Sequence, residues 1–313
     1  MSIWKYKLIE SQLQGISKVY TLNEGNTPTD EISDSATTLF LKREDKNPTG
    51  SWKDRGTAFK LTKLIADEYN EAVLFSSGNA LISILTYIKE LNLNFKMHAV
   101  VSNKVNSNKL NIIQELINGT ENQLHISENP KKEAISISAQ LKIPNLRVSI
   151  DNDIVKGYWS LGFELMELIK NDNLSECGIF LPASSGTAAV GIAEGILLKT
   201  NNENNMPRIF ICQTQSTHPF VENSEDESSE PSLADAIVDK VGLRVSQIKK
   251  IINQTNSDIF IITNDEIIEA QEFMNAKGIK DLSNNSLLSV AGYLRAKKNG
   301  VHLNKAILIA SGR

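Results

Sequence analysis

The chain has little with which to build a disulfide framework or a metal centre. Its 313 residues contain two cysteines, Cys177 and Cys212. Each lies in or beside an apolar run, which predicts buried free thiols and neither a bridge nor a thiolate metal site. The four histidines, His98, His125, His218 and His302, show no ligand spacing with one another or with the cysteines, so no metal is expected. No apolar run approaches a membrane span, and Met1-Ser2-Ile3-Trp4-Lys5-Tyr6 lacks the apolar core of a signal peptide. A net charge of -4 gives no footprint for nucleic acid or an anionic membrane. What remains is the expectation of a cytoplasmic protein that handles small molecules. Hydrophobic content of 41% and charged content of 22% are ordinary for a globular chain. The length suffices for one large or two moderate domains.

What is present is an alternation of short apolar runs with helical patterns. Strands are predicted over 38–42, 72–75, 97–101, 123–126, 147–150, 178–181, 208–213, 259–262 and 306–309. Helices are predicted over 57–69, 80–91, 109–116, 131–141, 159–170, 188–199, 265–276 and 286–298. This β–α alternation predicts an α/β protein of two domains, each with a mostly parallel sheet flanked by helices. The smaller domain is expected over about 72–150, and the larger over 1–71 together with 151–313. The acidic, polar stretch 222–230 reads as a solvated loop.

Four segments carry chemistry. In Asn47-Pro48-Thr49-Gly50-Ser51-Trp52-Lys53-Asp54-Arg55-Gly56, a turn precedes a helix and puts Lys53 at the junction. A desolvated lysine there can lose its proton and form a Schiff base with an aldehyde, whereas a surface lysine would pair with Asp54 or Asp45. In Leu181-Pro-Ala-Ser-Ser-Gly-Thr-Ala188, a buried strand enters a loop of small residues and a helix leaves it. Ala183, Ser184, Ser185, Gly186 and Thr187 would offer backbone N–H groups and hydroxyls to a phosphate, or simply cap the helix. The loop has neither the NTPase Lys-Ser/Thr ending nor GxGxxG spacing, which disfavours a nucleoside triphosphate or a dinucleotide. Ser76-Ser77-Gly78-Asn79 is a cradle for a carboxylate, unless Asn79 is only an N-cap. Ile309-Ala310-Ser311-Gly312 ends the last strand and sets Ser311 at the carboxyl edge of a sheet, where α/β proteins bind ligands. Together these point to pyridoxal 5'-phosphate and an amino-acid substrate.

The same residues carry a family resemblance. Glu24-Gly-Asn-Thr-Pro28, the Lys53 segment and Ser76-Ser-Gly-Asn79 resemble threonine synthase and its relatives of pyridoxal-phosphate fold type II. So do Trp4-Lys-Tyr6, Ser232-Leu-Ala-Asp-Ala-Ile237 and Ile262-Thr-Asn-Asp-Glu-Ile267. The resemblance implies that Lys53 bonds the cofactor and moves protons, that Asn79 meets its ring hydroxyl and that residues 183–187 hold its phosphate. Ser311 would face the ring nitrogen, and Ser76, Ser77 and Gly78 would hold the substrate carboxylate, while Asp54 and Arg55 would be structural. It further implies a homodimer, with the cofactor between the two domains. The implied reaction converts O-phospho-L-homoserine and water to L-threonine and phosphate. A serine or threonine dehydratase-like β-elimination or β-replacement is the first alternative, and a weakly catalytic cofactor-binding relative the second. The position matching the family's substrate-phosphate arginine is Ile154, which cannot donate to phosphate; Lys156 is the nearby cation. The family's Glu-Pro-Ser-Ser-Ala run is replaced by Ser283-Asn-Asn-Ser-Leu287, without its glutamate.

Overall fold

A computed structural model describes every residue except 1, 14, 36, 171, 201–205, 223–229 and 313. The interior of the acidic stretch 222–230 therefore lies outside the described residues. In chain order the strands are β1 (Thr29–Asp34), β2 (Thr37–Lys42), β3 (Glu71–Phe75), β4 (Lys96–Ser102), β5 (Gln123–Ser127), β6 (Cys177–Pro182), β7 (Arg208–Thr214), β8 (Ile259–Ile262) and β9 (Lys305–Ile309). The α-helices are α1 (Lys7–Glu10), α2 (Lys53–Ala66), α3 (Asn79–Glu90), α4 (Ser107–Ile117), α5 (Pro130–Leu141), α6 (Asn152–Leu168), α7 (Thr187–Thr200), α8 (Val245–Thr255), α9 (Asn264–Ala276) and α10 (Asn284–Lys298). The expected α/β architecture is present. No helix among the described residues is long and apolar enough to cross a membrane.

The chain divides into two compact units. The first comprises Met1–Gly25 and Lys53–Gly157, and the segment 72–150 lies wholly within it. Its sheet has three parallel strands in the order β3-β4-β5. Val73 and Val100 pack on Ala134 and Ile137 of α5, with Ile143 against them. The N-terminal segment lies on α2, where Trp4 stacks on Phe59 and Tyr20 N donates to Thr62 Oγ1. The strand predicted over 147–150 is not formed. Ile150 N and Asp151 N both donate to Arg147 O, closing a turn that consumes the groups a sheet would use. Ile150 faces solvent, and only the preceding residues reach the sheet, through Leu146 N to Val73 O.

The second unit comprises Asn26–Trp52 and Tyr158–Arg313. Its six strands run in the order β1-β2-β9-β6-β7-β8. All neighbours are parallel except β1 and β2, which form an antiparallel pair. Every residue of β6 is buried, as expected for a central parallel strand covered on both faces. Phe180, Phe210, Leu287, Leu288 and Leu308 are among the residues of the core beneath α10.

Among the strands and α-helices above, β1, α8 and the one-turn α1 escape the pattern reading. The edge strand β1, Thr-Asp-Glu-Ile-Ser-Asp, carries three acids and buries only Ile32 and Asp34. It is held by pairing and by Asp34, which accepts from Tyr293 Oη and Lys297 Nζ, both at 2.7 Å. A polar edge strand shows no apolar alternation. Helix α8 turns only Ile248, Ile251 and Thr255 inward, a thin stripe on a polar segment.

Just past β2, Arg43 organises the approach to the lysine segment. Its Nε and Nη2 donate to the two carboxylate oxygens of Asp45 at 2.9 and 2.7 Å. It also donates to Asp281 at 2.7 Å and Asp30 at 3.2 Å. Hydrogen bonds from Arg43 and Lys46 hold the Asp281 carboxyl down at about 2. The contribution of Asp281 is therefore present above its ordinary 3.8 and lost as pH falls through about 2. Arg43→Ala strands the buried Asp45 and should cost about 3–5 kcal/mol in urea unfolding. Asp281→Asn, on a half-exposed side chain, should cost less than about 1 kcal/mol. Equal losses from the two variants would contradict this ordering.

Candidate active site

Three of the four segments singled out from the sequence leave the carboxyl ends of parallel strands. Residues 76–79 follow β3, residues 183–187 follow β6 and residues 310–312 follow β9. Alternation of strand and helix forces this, because each strand must end in a turn before its crossover.

The lysine segment is anchored by buried polar groups. Glu44 Oε1 accepts from Thr27 Oγ1 at 2.6 Å, and Glu44 Oε2 accepts from Asn47 Nδ2 at 2.9 Å. One carboxylate thus ties Thr27 of the Glu-Gly-Asn-Thr-Pro motif to Asn47 of the lysine motif. Beside it, Lys42 Nζ lies 2.9 Å from Glu164 Oε2, and Glu164 Oε1 accepts from Asn26 N at 2.8 Å. Ser51 and Gly312 form an antiparallel bridge, and Trp52 N donates to Ser311 O at 3.0 Å. Lys53 comes next and is itself the first residue of α2, so the helix begins earlier than the pattern predicts. The lysine is half-buried, and Asp54 after it is fully buried, accepting from Ser83 Oγ at 2.6 Å.

Ser311 is buried at the end of β9. The run 283–287, which lacks the family's glutamate, serves this tail. Ser283 caps α10, and Ser283 Oγ and Ser286 Oγ both donate to Gly312 O.

In the first unit, Asn79 is not a capping residue. It is the first residue of α3, and the N-cap is Gly78 at φ 138, a conformation that favours glycine. A Cβ on Gly78 would also meet Lys109 Cδ at 2.7 Å, because the stem of that lysine crosses the loop. The Gly78 N–H is given to Ser76 Oγ at 3.1 Å. Ser77 is half-buried.

In the second unit, Ala183 N donates to Cys212 O at 2.9 Å. Ser184 Oγ donates to Asp239 Oδ2 at 2.8 Å and accepts from the backbone of Val238 and Asp239. Ser185 Oγ lies 3.1 Å from Thr187 Oγ1, which accepts from Arg244 Nε at 3.2 Å. Gly186 adopts φ +79, and a Cβ there would meet Phe220 Cζ at 2.9 Å. A tight backbone, two mutually bonded hydroxyls and a guanidinium make a donor set suited to a phosphate. Neither Arg244 nor Asp239 was among the residues expected here. Their only sequence signal is charge on a loop, which most loops share.

Ile154 is buried on α6. Lys156 Nζ lies 3.3 Å from Asp153 Oδ1 and 5.8 Å from the Phe59 ring centroid. Lys60 pairs with Asp151 at 2.7 Å and with Asp153 at 3.4 Å. Both cysteines are buried, and burial pushes the Cys177 thiol up to about 11 and the Cys212 thiol further still. These are thiols that packing has made inert.

Each unit is built on a mostly or wholly parallel sheet with helices between its strands, an α/β architecture. The sequence model for pyridoxal-phosphate dependent enzymes matches residues 20–312, and the chain belongs to that family; pyridoxal 5'-phosphate is its cofactor. It is 26% identical to a threonine synthase of Methanosarcina acetivorans, over 96% of this chain and 76% of that protein. It is 24% identical to a biosynthetic L-threonine dehydratase of Haemophilus influenzae over 88% of this chain, and spans about half of that protein's length (52%). The crystal structure of serine racemase from Dictyostelium discoideum superposes with a TM-score of 0.75 at 20% identity, covering 100% of this chain and 98% of that one. The fold is that of the fold type II enzymes.

Glu24, in the motif before Thr27, yields a test of buried charge. Its Oε2 accepts from Tyr87 Oη at 2.6 Å, Thr21 Oγ1 at 2.9 Å and Leu22 N at 3.1 Å. Among the described residues its Oε1 has no partner. Desolvation outweighs those hydrogen bonds and raises the carboxyl above its usual 4.5. A raised carboxyl favours the native state below 4.5 and opposes it as pH climbs through the raised value. Glu24→Gln should therefore gain stability relative to the parent as pH rises from 4 to 8, measured by denaturant unfolding at each pH. A flat or falling difference would show that Glu24 titrates normally.

Proposed function

We propose that this chain is a pyridoxal-phosphate-dependent carbon–oxygen lyase acting on a small L-amino acid with an unphosphorylated hydroxyl, of the serine and threonine class. The observation that carries the reading is the hydrogen bond from Trp52 N to Ser311 O. It fixes the backbone next to the reactive amine against the serine at the carboxyl end of β9. The cofactor supplies an electron sink for the charge left on the substrate α-carbon. Lys53 Nζ removes the α-proton and returns a proton later in the cycle. Ser76, Ser77 and Gly78 would hold the substrate carboxylate, and Asn79 would hold the cofactor ring. Residues 183–187 would take the phosphate, and Ser311 would give the ring nitrogen a neutral partner. Serine would yield pyruvate and ammonia, and threonine 2-oxobutanoate and ammonia.

The choice of an unphosphorylated substrate rests on α6. Ile154 offers no donor, and Lys156 is already balanced by Asp153, so neither is a good grip for a second phosphate. A second reading, threonine and phosphate from O-phospho-L-homoserine, is favoured by the match to threonine synthase across most of the chain. Under either reading the enzyme works as a cytoplasmic homodimer.

Protein loaded with pyridoxal phosphate should form a 2-oxo acid from L-serine or L-threonine. Lys53→Ala should slow this by roughly 10²- to 10⁴-fold or more. Release of phosphate and threonine from O-phospho-L-homoserine would replace this substrate with the second reading. Absence of Lys53-dependent turnover on all three compounds would sink the lyase.

A further inference from the structure

Residues 183–187 are flanked by opposite charges brought from one distant segment. Asp239 accepts from Ser184 Oγ at 2.8 Å. Five residues on, Arg244 donates from Nε to Thr187 Oγ1 at 3.2 Å and from Nη1 to Gln247 Oε1 at 3.0 Å. Thr187 Oγ1 in turn lies 3.1 Å from Ser185 Oγ. Arg244 is only 3% exposed, in the N-cap position of α8.

Coulomb's law sets the consequence. A carboxylate one hydrogen bond from Ser184 opposes a phosphate dianion at the loop, and a guanidinium one hydrogen bond from Thr187 favours it. Burial of Arg244 strengthens the second effect, while Asp239 is only half-buried. Without Arg244, the loop would present backbone amides and hydroxyls with an uncompensated negative charge beside them. The guanidinium also fixes the Thr187 hydroxyl, since an oxygen accepting from Nε must turn its own proton elsewhere. Thr187 and Ser185 are thus ordered before any ligand arrives.

We propose that Arg244 is the positioning residue of the cofactor's phosphate end: it offsets Asp239 and orients the hydroxyls of Thr187 and Ser185. This rests on reading residues 183–187 as the phosphate loop. The two ideas separate in a comparison of pyridoxal 5'-phosphate with pyridoxal, which lacks the phosphate. Equilibrium affinities are measured by the absorbance change of each compound on binding to the parent protein and to Arg244→Gln, Arg244→Lys and Asp239→Asn.

The parent should prefer pyridoxal phosphate. Arg244→Gln should weaken it by on the order of ten- to hundred-fold, with pyridoxal changed less than about threefold. Arg244→Lys keeps the charge and should fall between parent and Gln variant. Asp239→Asn, which keeps the hydrogen bond to Ser184, should tighten pyridoxal phosphate alone, a result that a merely structural arginine does not produce. Equal weakening of both compounds by Arg244→Gln, or no weakening, overturns the role of Arg244 while a phosphate preference in the parent still supports the loop. A parent that does not distinguish the two compounds overturns the loop reading and this inference with it. If the Gln variant fails to fold, the Lys variant decides. A several-fold loss of phosphate preference supports the role, and an unchanged preference overturns it.

Discussion

The docking of the lysine segment onto the end of β9 is the constraint from which the rest of the arrangement follows. Trp52 N and the Ser51–Gly312 bridge hold that segment, and Asp45 N donates to Ala310 O at 2.8 Å. Strand β9 lies between β2 and β6, inside the sheet, so the tail it carries starts from a rigid base. Ser283 and Ser286 then hold the Gly312 carbonyl from α10. Each such bond adds only about 1 kcal/mol net, but an unmade one in a buried place would cost more. The backbone from Asp45 to Trp52 is fixed because several groups would be left unsatisfied together if it moved.

Buried charge is the means by which short motifs far apart in the chain are held in register. Glu44 serves Thr27 and Asn47, and Glu164 serves Asn26 and Lys42. Carboxylates suit this work because two oxygens can accept from several donors at once. Their burial is tolerable only with those donors in place. The lysine segment therefore depends on buried acids as well as on its turn. At the hydroxyl loop after β6, the half-buried Asp239 bonds Ser184 and the buried Arg244 bonds Thr187.

The α/β class and most elements are legible from local pattern. Apolar runs such as Ile179-Phe180-Leu181 and stripes such as Ile84, Leu85 and Ile88 report burial directly. The failures have local physical causes. Residues 147–150 alternate like a strand, yet their amides close a turn on Arg147 O. Strand β1 is polar because it lies on an edge, and α8 shows only a narrow apolar stripe. Helix α2 starts at Lys53, four residues before the apolar stripe from which it is predicted.

The chain's own residues determined the class, the alternation of strands and helices and the loops at strand ends. Each of these depends on neighbours within about one turn or one strand, where spacing is sufficient information. Tertiary structure alone decided which groups those loops actually face. Ser184 turned to Asp239, Thr187 acquired a guanidinium from 57 residues away, and Lys156 came to lie 5.8 Å from the ring centroid of Phe59. Such partners are chosen by how buried charges must be satisfied after the chain has packed, and no local spacing records that choice.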